Sequence, residues 1–184
     1  MSFDANTDEP DDALLQRFAD GDQSAARALT LRLTPRTLAV AYRMLGDRAE
    51  AEDVAQEAMM RLWKIAPDWR VGEAQVSTWL HRVTSNLSID RLRKRRRNGP
   101  ALDDIAEPSD PAPSQVAVLM AADRATAVRK AMDVLPERQK QAVTLRHFEG
   151  LGNPEIADVM EISVEAVESL LSRGRRALAT AMKA

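Results

Sequence analysis

The sequence predicts an all-α protein made of two small helical domains joined by a flexible linker, the C-terminal one containing a helix-turn-helix. Three observations carry this. Glycine is sparse, at 7 of 184 residues, and aromatics are 4%. Any core must therefore be built from Leu, Val, Ile, Ala and Met, and that mix, with abundant Glu and Arg, favours helix over sheet. Apolar residues recur at helical spacing in two separate blocks. Between the blocks, residues 98–114 hold Gly99, Pro100, Pro108, Pro111 and Pro113 among acids. Each proline lacks an amide donor and biases its predecessor away from helix. The stretch reads as a linker, which sets domains at 1–97 and 115–184.

In the first block, Asp11 to Ala19 fits a short helix that Gly21 and Asp22 stop, and Ser24 suits the next N-cap. From Ala25 to Leu45 the spacing of Leu29, Leu33, Leu38, Val40 and Leu45 is helical; Pro35 is expected to start or kink a helix, and Gly46 to end it. From Ala49 to Lys64, Ala51, Val54, Ala55, Ala58, Met59 and Leu62 make one apolar face, opposite Glu52, Asp53, Gln56 and Glu57. Pro67 and Gly72 mark a loop. A helix from about Val76 to Arg95 places Trp79, Leu80, Val83, Leu87 and Leu92 inward and ends in a cationic run.

The second block reads as four helices. Gln115 to Val134 is the first. Pro136 opens the next, where a missing amide is least felt, and it ends near Gly150. Pro154 opens a short helix to Met160, and Ser163 caps the last, Val164 to about Met182. The last two, with the turn Glu161-Ile162-Ser163, form a helix-turn-helix around Ile156, Ala157, Met160, Ile162, Val167 and Leu171. In such a motif the second helix enters the major groove. Its exposed set is Glu165, Glu168, Ser169, Ser172, Arg173, Arg175 and Arg176. A plain helical hairpin is the competing reading.

Composition excludes several functions. The chain has no cysteine, so disulfides, thiol nucleophiles and thiolate metal sites are all absent. His81 and His147 are too far apart in sequence to suggest a zinc site, and no metal or cofactor is expected. No Gly-rich phosphate loop is present, and Asp53 and Glu57, one turn apart, read as a solvated face. An enzyme is therefore not expected. A free-standing regulator would need a ligand pocket or a phosphoacceptor, and neither pattern is visible. No apolar run reaches bilayer-spanning length, and the acidic N-terminus is unlike a signal peptide, so a cytoplasmic location is expected.

Charge is segregated rather than balanced. Residues 1–24 hold seven acids and one arginine, and residues 91–97 hold six cations in seven positions. Such a pattern suits a polyanion partner at one place only. The cations suit phosphates, Asn86 can pair with an unpaired base edge, and Trp69, Trp79 and His81 are rings that could stack on bases. Trp79 at helical spacing is more readily read as core.

The run Leu45-Gly46-Asp47-Arg48-Ala49-Glu50-Ala51-Glu52-Asp53-Val54-Ala55-Gln56-Glu57, with Leu62-Trp63 after it, resembles region 2 of the extracytoplasmic-function (ECF) RNA polymerase sigma factors of the sigma-70 family. Trp79-Leu80-His81-Arg82-Val83, Asn86-Leu87 and Asp90-Arg91-Leu92-Arg93 continue that likeness. Leu135-Pro136-Glu137-Arg138-Gln139, Glu149-Gly150-Leu151, Glu155-Ile156-Ala157 and Ser172-Arg173-Gly174-Arg175-Arg176-Ala177-Leu178 are similar to region 4.

The resemblance implies specific roles. Asp53, Gln56 and Glu57 would face the clamp of the polymerase largest subunit. Trp79, His81, Arg82, Asn86, Asp90, Arg91, Arg93 and Arg95 would melt and read the −10 element, a flipped base being held by Asn86 and the loop Arg70 to Thr78. Glu168, Ser169, Ser172, Arg173, Arg175 and Arg176 would read the −35 element, and region 4 would touch the polymerase flap. Core polymerase, promoter DNA and an anti-sigma factor are the implied partners. Two departures stand out: Glu168 and Leu170 occupy positions where many relatives carry Lys or Arg, and His81 one where Tyr is common.

Overall fold

The computed structural model describes residues 9–98 and 127–182. Helices α1 (Asp11–Ala19), α2 (Gln23–Leu45) and α3 (Arg48–Ile65) lead through a short 3-10 turn, Ala66–Asp68, to α4 (Val76–Asn98). Then come α5 (residues 127–133), α6 (Glu137–His147), α7 (Asn153–Met160) and α8 (Val164–Ala181). Among the described residues none is in a strand. The linker expected over 98–114 and the beginning of the helix expected from Gln115 lie outside the described residues, except that Asn98 closes α4.

Two expectations about α2 are corrected. Its N-cap is Asp22, not Ser24: the Asp22 carboxylate accepts from the backbone N–H of Ser24 at 2.8 Å and of Ala25 at 3.4 Å. The Ser24 hydroxyl and the Arg17 guanidinium bond the same carboxyl and hold it well below the usual carboxylate range. Asp22 prevails because its carboxylate serves two amides while also pairing with Arg17. Pro35 does not start a helix: α2 runs through it from Gln23 to Leu45. The carbonyl that the missing amide leaves unbonded belongs to Leu31, four residues earlier. Leu31 is 66% exposed, so water can take that bond.

Two sets of cores result. Leu14, Leu15, Leu29, Leu33, Met59, Leu62 and Leu80 unite α1 to α4, with smaller clusters of Ala41, Leu45, Ala51 and Val54 and of Val40, Met44 and Ile89 beside them. Met132, Leu145, Ile156, Met160, Val167 and Leu171 unite α5 to α8. The expected inner residues of the helix-turn-helix all belong to this second core, with Ile162 at its edge. Gly174 lets α8 lie close to α6: a Cβ there would stand 2.8 Å from Val143 Cγ2.

Helix α4 buries polar side chains at its centre. Thr84, Ser85 and Ser88 are 1%, 0% and 0% exposed. Thr84 Oγ1 donates to the Leu80 carbonyl at 2.7 Å, Ser88 Oγ to that of Thr84 at 2.8 Å, and Ser85 Oγ to that of His81. The hydroxyls are thus satisfied within their own helix, as buried polar groups require. These small residues let α4 lie close against its neighbours.

His81 lies on the same buried side, 8% exposed. Burial, helped by the charge of Arg36, pushes its pKa down from 6.5 to about 4. The unfolded chain therefore binds the His81 proton more tightly than the folded one. Its contribution to stability is complete above pH 6.5 and is lost as pH falls through about 4. Urea unfolding across that window should show the wild type losing up to roughly 3 kcal/mol more than His81→Gln. Parallel pH profiles for the two proteins would remove His81 as the source.

Candidate nucleic-acid interface

Opposite the buried side of α4, Arg82, Asn86, Asp90 and Arg93 follow one another at three- and four-residue spacing and form one stripe. Asn86 and Asp90 are exposed. An amide and a carboxylate flanked by guanidiniums can pair with base edges while the cations meet phosphates. The loop before α4, residues 70–75, is exposed and carries Val71 at 60% exposure. Asp12 ties the loop's end to α1 by accepting from the Val76 amide at 3.3 Å.

The cations of the run do not act alike. Arg95 bonds Glu50 at 2.9 Å, the Leu45 carbonyl at 3.2 Å and, more distantly, Asp47 at 3.6 Å. Arg91 pairs with Asp53 at 3.2 Å. Both clamp α4 onto the start of α3. Arg93 and Arg96 pair with Glu137 of α6 at 3.5 and 2.8 Å, and Arg82 meets Glu161 at 3.1 Å. Lys94 and Arg97 make no ion pair with a described residue.

Expectations about the rings are corrected by burial. His81 is turned to the core side, about 140° around the helix from Asn86 by the 3.6-residue period, and offers no ring face for stacking. Trp79 is half-buried against the first core and stands edge-on to Trp69, centroids 6.2 Å apart. Trp79 therefore takes the core role that its spacing favoured.

On α3, Glu52, Asp53 and Gln56 are exposed and Glu57 half-buried. Glu57 pairs with Arg61 at 2.8 Å and Glu52 with Arg48 at 2.9 Å. A groove of about 360 Å³ runs beside this face between α2 and α3, lined by Leu38, Ala55, Gln56, Met59, Met60 and Trp63 among others. The sequence reading missed it. Its one sequence signal was Met60, an apolar residue on the polar side of α3, which is 59% exposed.

The helix-turn-helix is held by local bonds. Gly152 N–H donates to Glu155 Oε2 at 2.6 Å, and Ser163 Oγ accepts from the Ala166 amide at 3.2 Å. Glu161 takes the turn at φ 53°, in the left-handed region, and Ile162 N–H closes it on the Ala157 carbonyl at 3.1 Å. On α8, Glu168, Ser172, Arg173, Arg175 and Arg176 are exposed and Ser169 is half-buried, its hydroxyl accepting from Arg173 at 2.8 Å. Leu170 packs on the second core. It lies off the exposed face, which accounts for an apolar residue at that position.

Among the described residues no group of three or more His, Asp or Glu could hold a metal ion, and no helix is long and apolar enough to cross a membrane.

Comparison with known proteins places these faces in context. Residues 29–98 match the family model for sigma-70 region 2, and residues 125–178 that for sigma-70 region 4. The chain is 34% identical to the RNA polymerase sigma-H factor of Pseudomonas aeruginosa, over 96% of each chain. It is 27% identical to the ECF RNA polymerase sigma factor SigW of Bacillus subtilis, over 89% of this chain and 92% of that one. Among solved structures, CnrH in complex with the cytosolic domain of CnrY aligns with a TM-score of 0.70 at 25% identity, over 95% of this chain and 98% of that one. The sigma factor RpoE in complex with the anti-sigma factor NepR from Bartonella quintana shares the fold, with a TM-score of 0.66 at 24% identity over 85% of this chain and 96% of that one. The near full-length match to sigma-H, together with the two region models in order, shows that the chain belongs to the sigma-70 family of RNA polymerase sigma factors, in its ECF group.

Proposed function

We propose that this ECF sigma factor divides its work among three faces: α3 for polymerase, the outer stripe of α4 for the −10 element and α8 for the −35 element. The observation that carries the reading is the two-sidedness of α4. Its buried side is satisfied internally, so Arg82, Asn86, Asp90 and Arg93 are left outward with no duty to the core. Arg91 and Arg95 support that stripe by fixing α4 to α3. The protein adds no catalysis of its own. It presents DNA to the polymerase, and so works in the cytoplasm, where that enzyme is.

Asp53, Gln56 and Glu57 give the polymerase contact its polar part, and the neighbouring groove gives it an apolar one. An anti-sigma factor, which membership of the ECF group suggests, would compete for these faces. The solved relative CnrH is held by the cytosolic domain of CnrY.

The roles separate in a paired experiment. Charge reversal at Asp53 and Glu57 should weaken competition for core polymerase about tenfold with the circular dichroism unchanged, since the exposed ion pairs lost are each worth about 0–1 kcal/mol. Asn86→Ala should bind core polymerase normally yet open promoter DNA poorly in permanganate footprinting, because its amide meets a base only after the strands part. Equal opening by mutant and wild type, or unchanged affinity in the reversal, would remove the corresponding face.

The two cores support independent domains at residues 1–97 and 115–184 with a linker between them. Limited proteolysis should cut first within 98–114. A first cut inside α3 would refute this layout.

At the −35 face, Arg173, Arg175 and Arg176 are the phosphate and base donors and Ser169 and Ser172 short contacts. Glu168 is exposed one turn before Ser172. Its carboxylate repels phosphate, so Glu168→Lys should tighten binding to every −35 sequence and steepen the salt dependence by about one unit of slope. Binding to a randomised −35 library at two salt concentrations decides. A narrow change in preference, at unchanged slope, would instead make Glu168 a reader of cytosine.

A further inference from the structure

The loop between the 3-10 turn and α4 is a short bridge with two feet. Residues 70–75 are exposed, whereas Trp69 before them is half-buried and Val76 after them is buried. Both feet stand on one core. Ala66 and Val76 belong to the cluster that Leu14 and Leu15 of α1 enter, and Trp69 and Trp79 pack against it. Between the feet the chain turns sharply. Glu73 N–H donates to the Arg70 carbonyl at 3.4 Å, and the Arg70 guanidinium pairs with the Glu73 carboxylate at 3.4 Å. Gly72 has φ 92°, the left-handed value that a tight turn can take at its third residue and that glycine adopts without strain. The turn itself is therefore well defined. Its place on the protein depends on the feet.

The feet are not held alike. Trp69 stands edge-on to Trp79, and its buried indole N–H finds no partner among the described residues. That foot rests on packing. The other is also tied by a hydrogen bond. Val76 opens α4, so its amide has no acceptor within the helix. Gln75, just before it, is not one of the short polar side chains that cap their own helix. The acceptor comes instead from α1: Asp12 Oδ1 takes the Val76 amide at 3.3 Å. A carboxylate at that end also meets the positive pole of the α4 dipole. Helix α1 is a fixed post for this bond, because Asp11 beside it pairs with Arg32 of α2 at 2.6 Å.

We infer that Asp12 is a positioning residue for promoter reading: from α1 it caps α4, and so fixes the end of the loop 70–75 relative to Asn86. This rests on the −10 role given above to that loop and to α4. A base held between the loop and Asn86 needs the two at one separation. Asn86 moves with the body of α4. The loop's end moves with it only while the first turn of α4 stays wound as far as Val76. Without the cap, helix ends fray locally, and each frayed residue is added to the loop.

The test uses holoenzyme assembled from the full chain and core polymerase, bound to a library of single-stranded oligonucleotides randomised over the length of a −10 element. The wild type should select one sequence. Asp12→Ala should lower base discrimination about fivefold at one position of that sequence, the factor that a lost helix cap supplies. Discrimination at the remaining positions and affinity for core polymerase should stay as in the wild type. Asp12→Asn keeps a side-chain oxygen that can accept from Val76, and should keep the wild-type pattern. Hydrogen exchange of the free protein should be faster at the Val76 amide in Asp12→Ala and not in Asp12→Asn. If Asp12 only stabilised the fold, Asp12→Ala would weaken every position equally through a smaller folded fraction, and that result overturns the inference. So does unchanged discrimination in Asp12→Ala, or an Asp12→Asn that behaves as Asp12→Ala does. A wild type that selects no sequence at all is a distinguishable failure: it refutes the −10 role of α4, and the role of Asp12 falls with it.

Discussion

The surfaces of this protein depend on how α4 is seated. It has a solvent-facing stripe and a core-facing side, and the core-facing side is made partly of the small polar residues Thr84, Ser85 and Ser88. Each hydroxyl bonds a carbonyl one turn back, so none of the three is left without a partner in the core. Small buried side chains permit close helix contact, and close contact fixes the rotation of α4. Once that rotation is set, Asn86 can only point outward and His81 only inward.

Electrostatics then divides a run of cations that looks uniform. Arg91 and Arg95 are drawn to Asp53, Asp47 and Glu50 at the start of α3, where acids also suit the positive end of that helix. Arg82, Arg93 and Arg96 face the other way and meet Glu161 and Glu137. One part of the run therefore ties α4 to α3, and the other meets acids of the C-terminal helices.

The helix-turn-helix was readable because its determinants are local. Pro154, Ser163 and the apolar spacing from Ile156 to Leu171 act within a few residues of one another. The same holds for α1 and for the acidic face of α3. That Pro35 lies inside α2 and not at its start was not legible, because the cost of a proline depends on whether water can reach the freed carbonyl, and that depends on which side of α2 faces solvent. The groove beside Met60 was illegible for a similar reason: it exists only where α2 and α3 lie side by side.

By itself the sequence determined the helical class, the positions of nearly all the described helices, the inner residues of the helix-turn-helix and the outward place of Asn86, since each follows from periodicity and capping over short range. Only the tertiary structure decided that His81 is buried, that Leu170 packs on the core, which arginines are tied down and that Glu137 of α6 pairs with the end of α4. Those outcomes turn on pairs far apart in the chain, such as Arg95 with Glu50 and Arg43 with Glu149. Coulomb attraction and desolvation depend on separation in space, and separation in space is what a linear sequence does not contain.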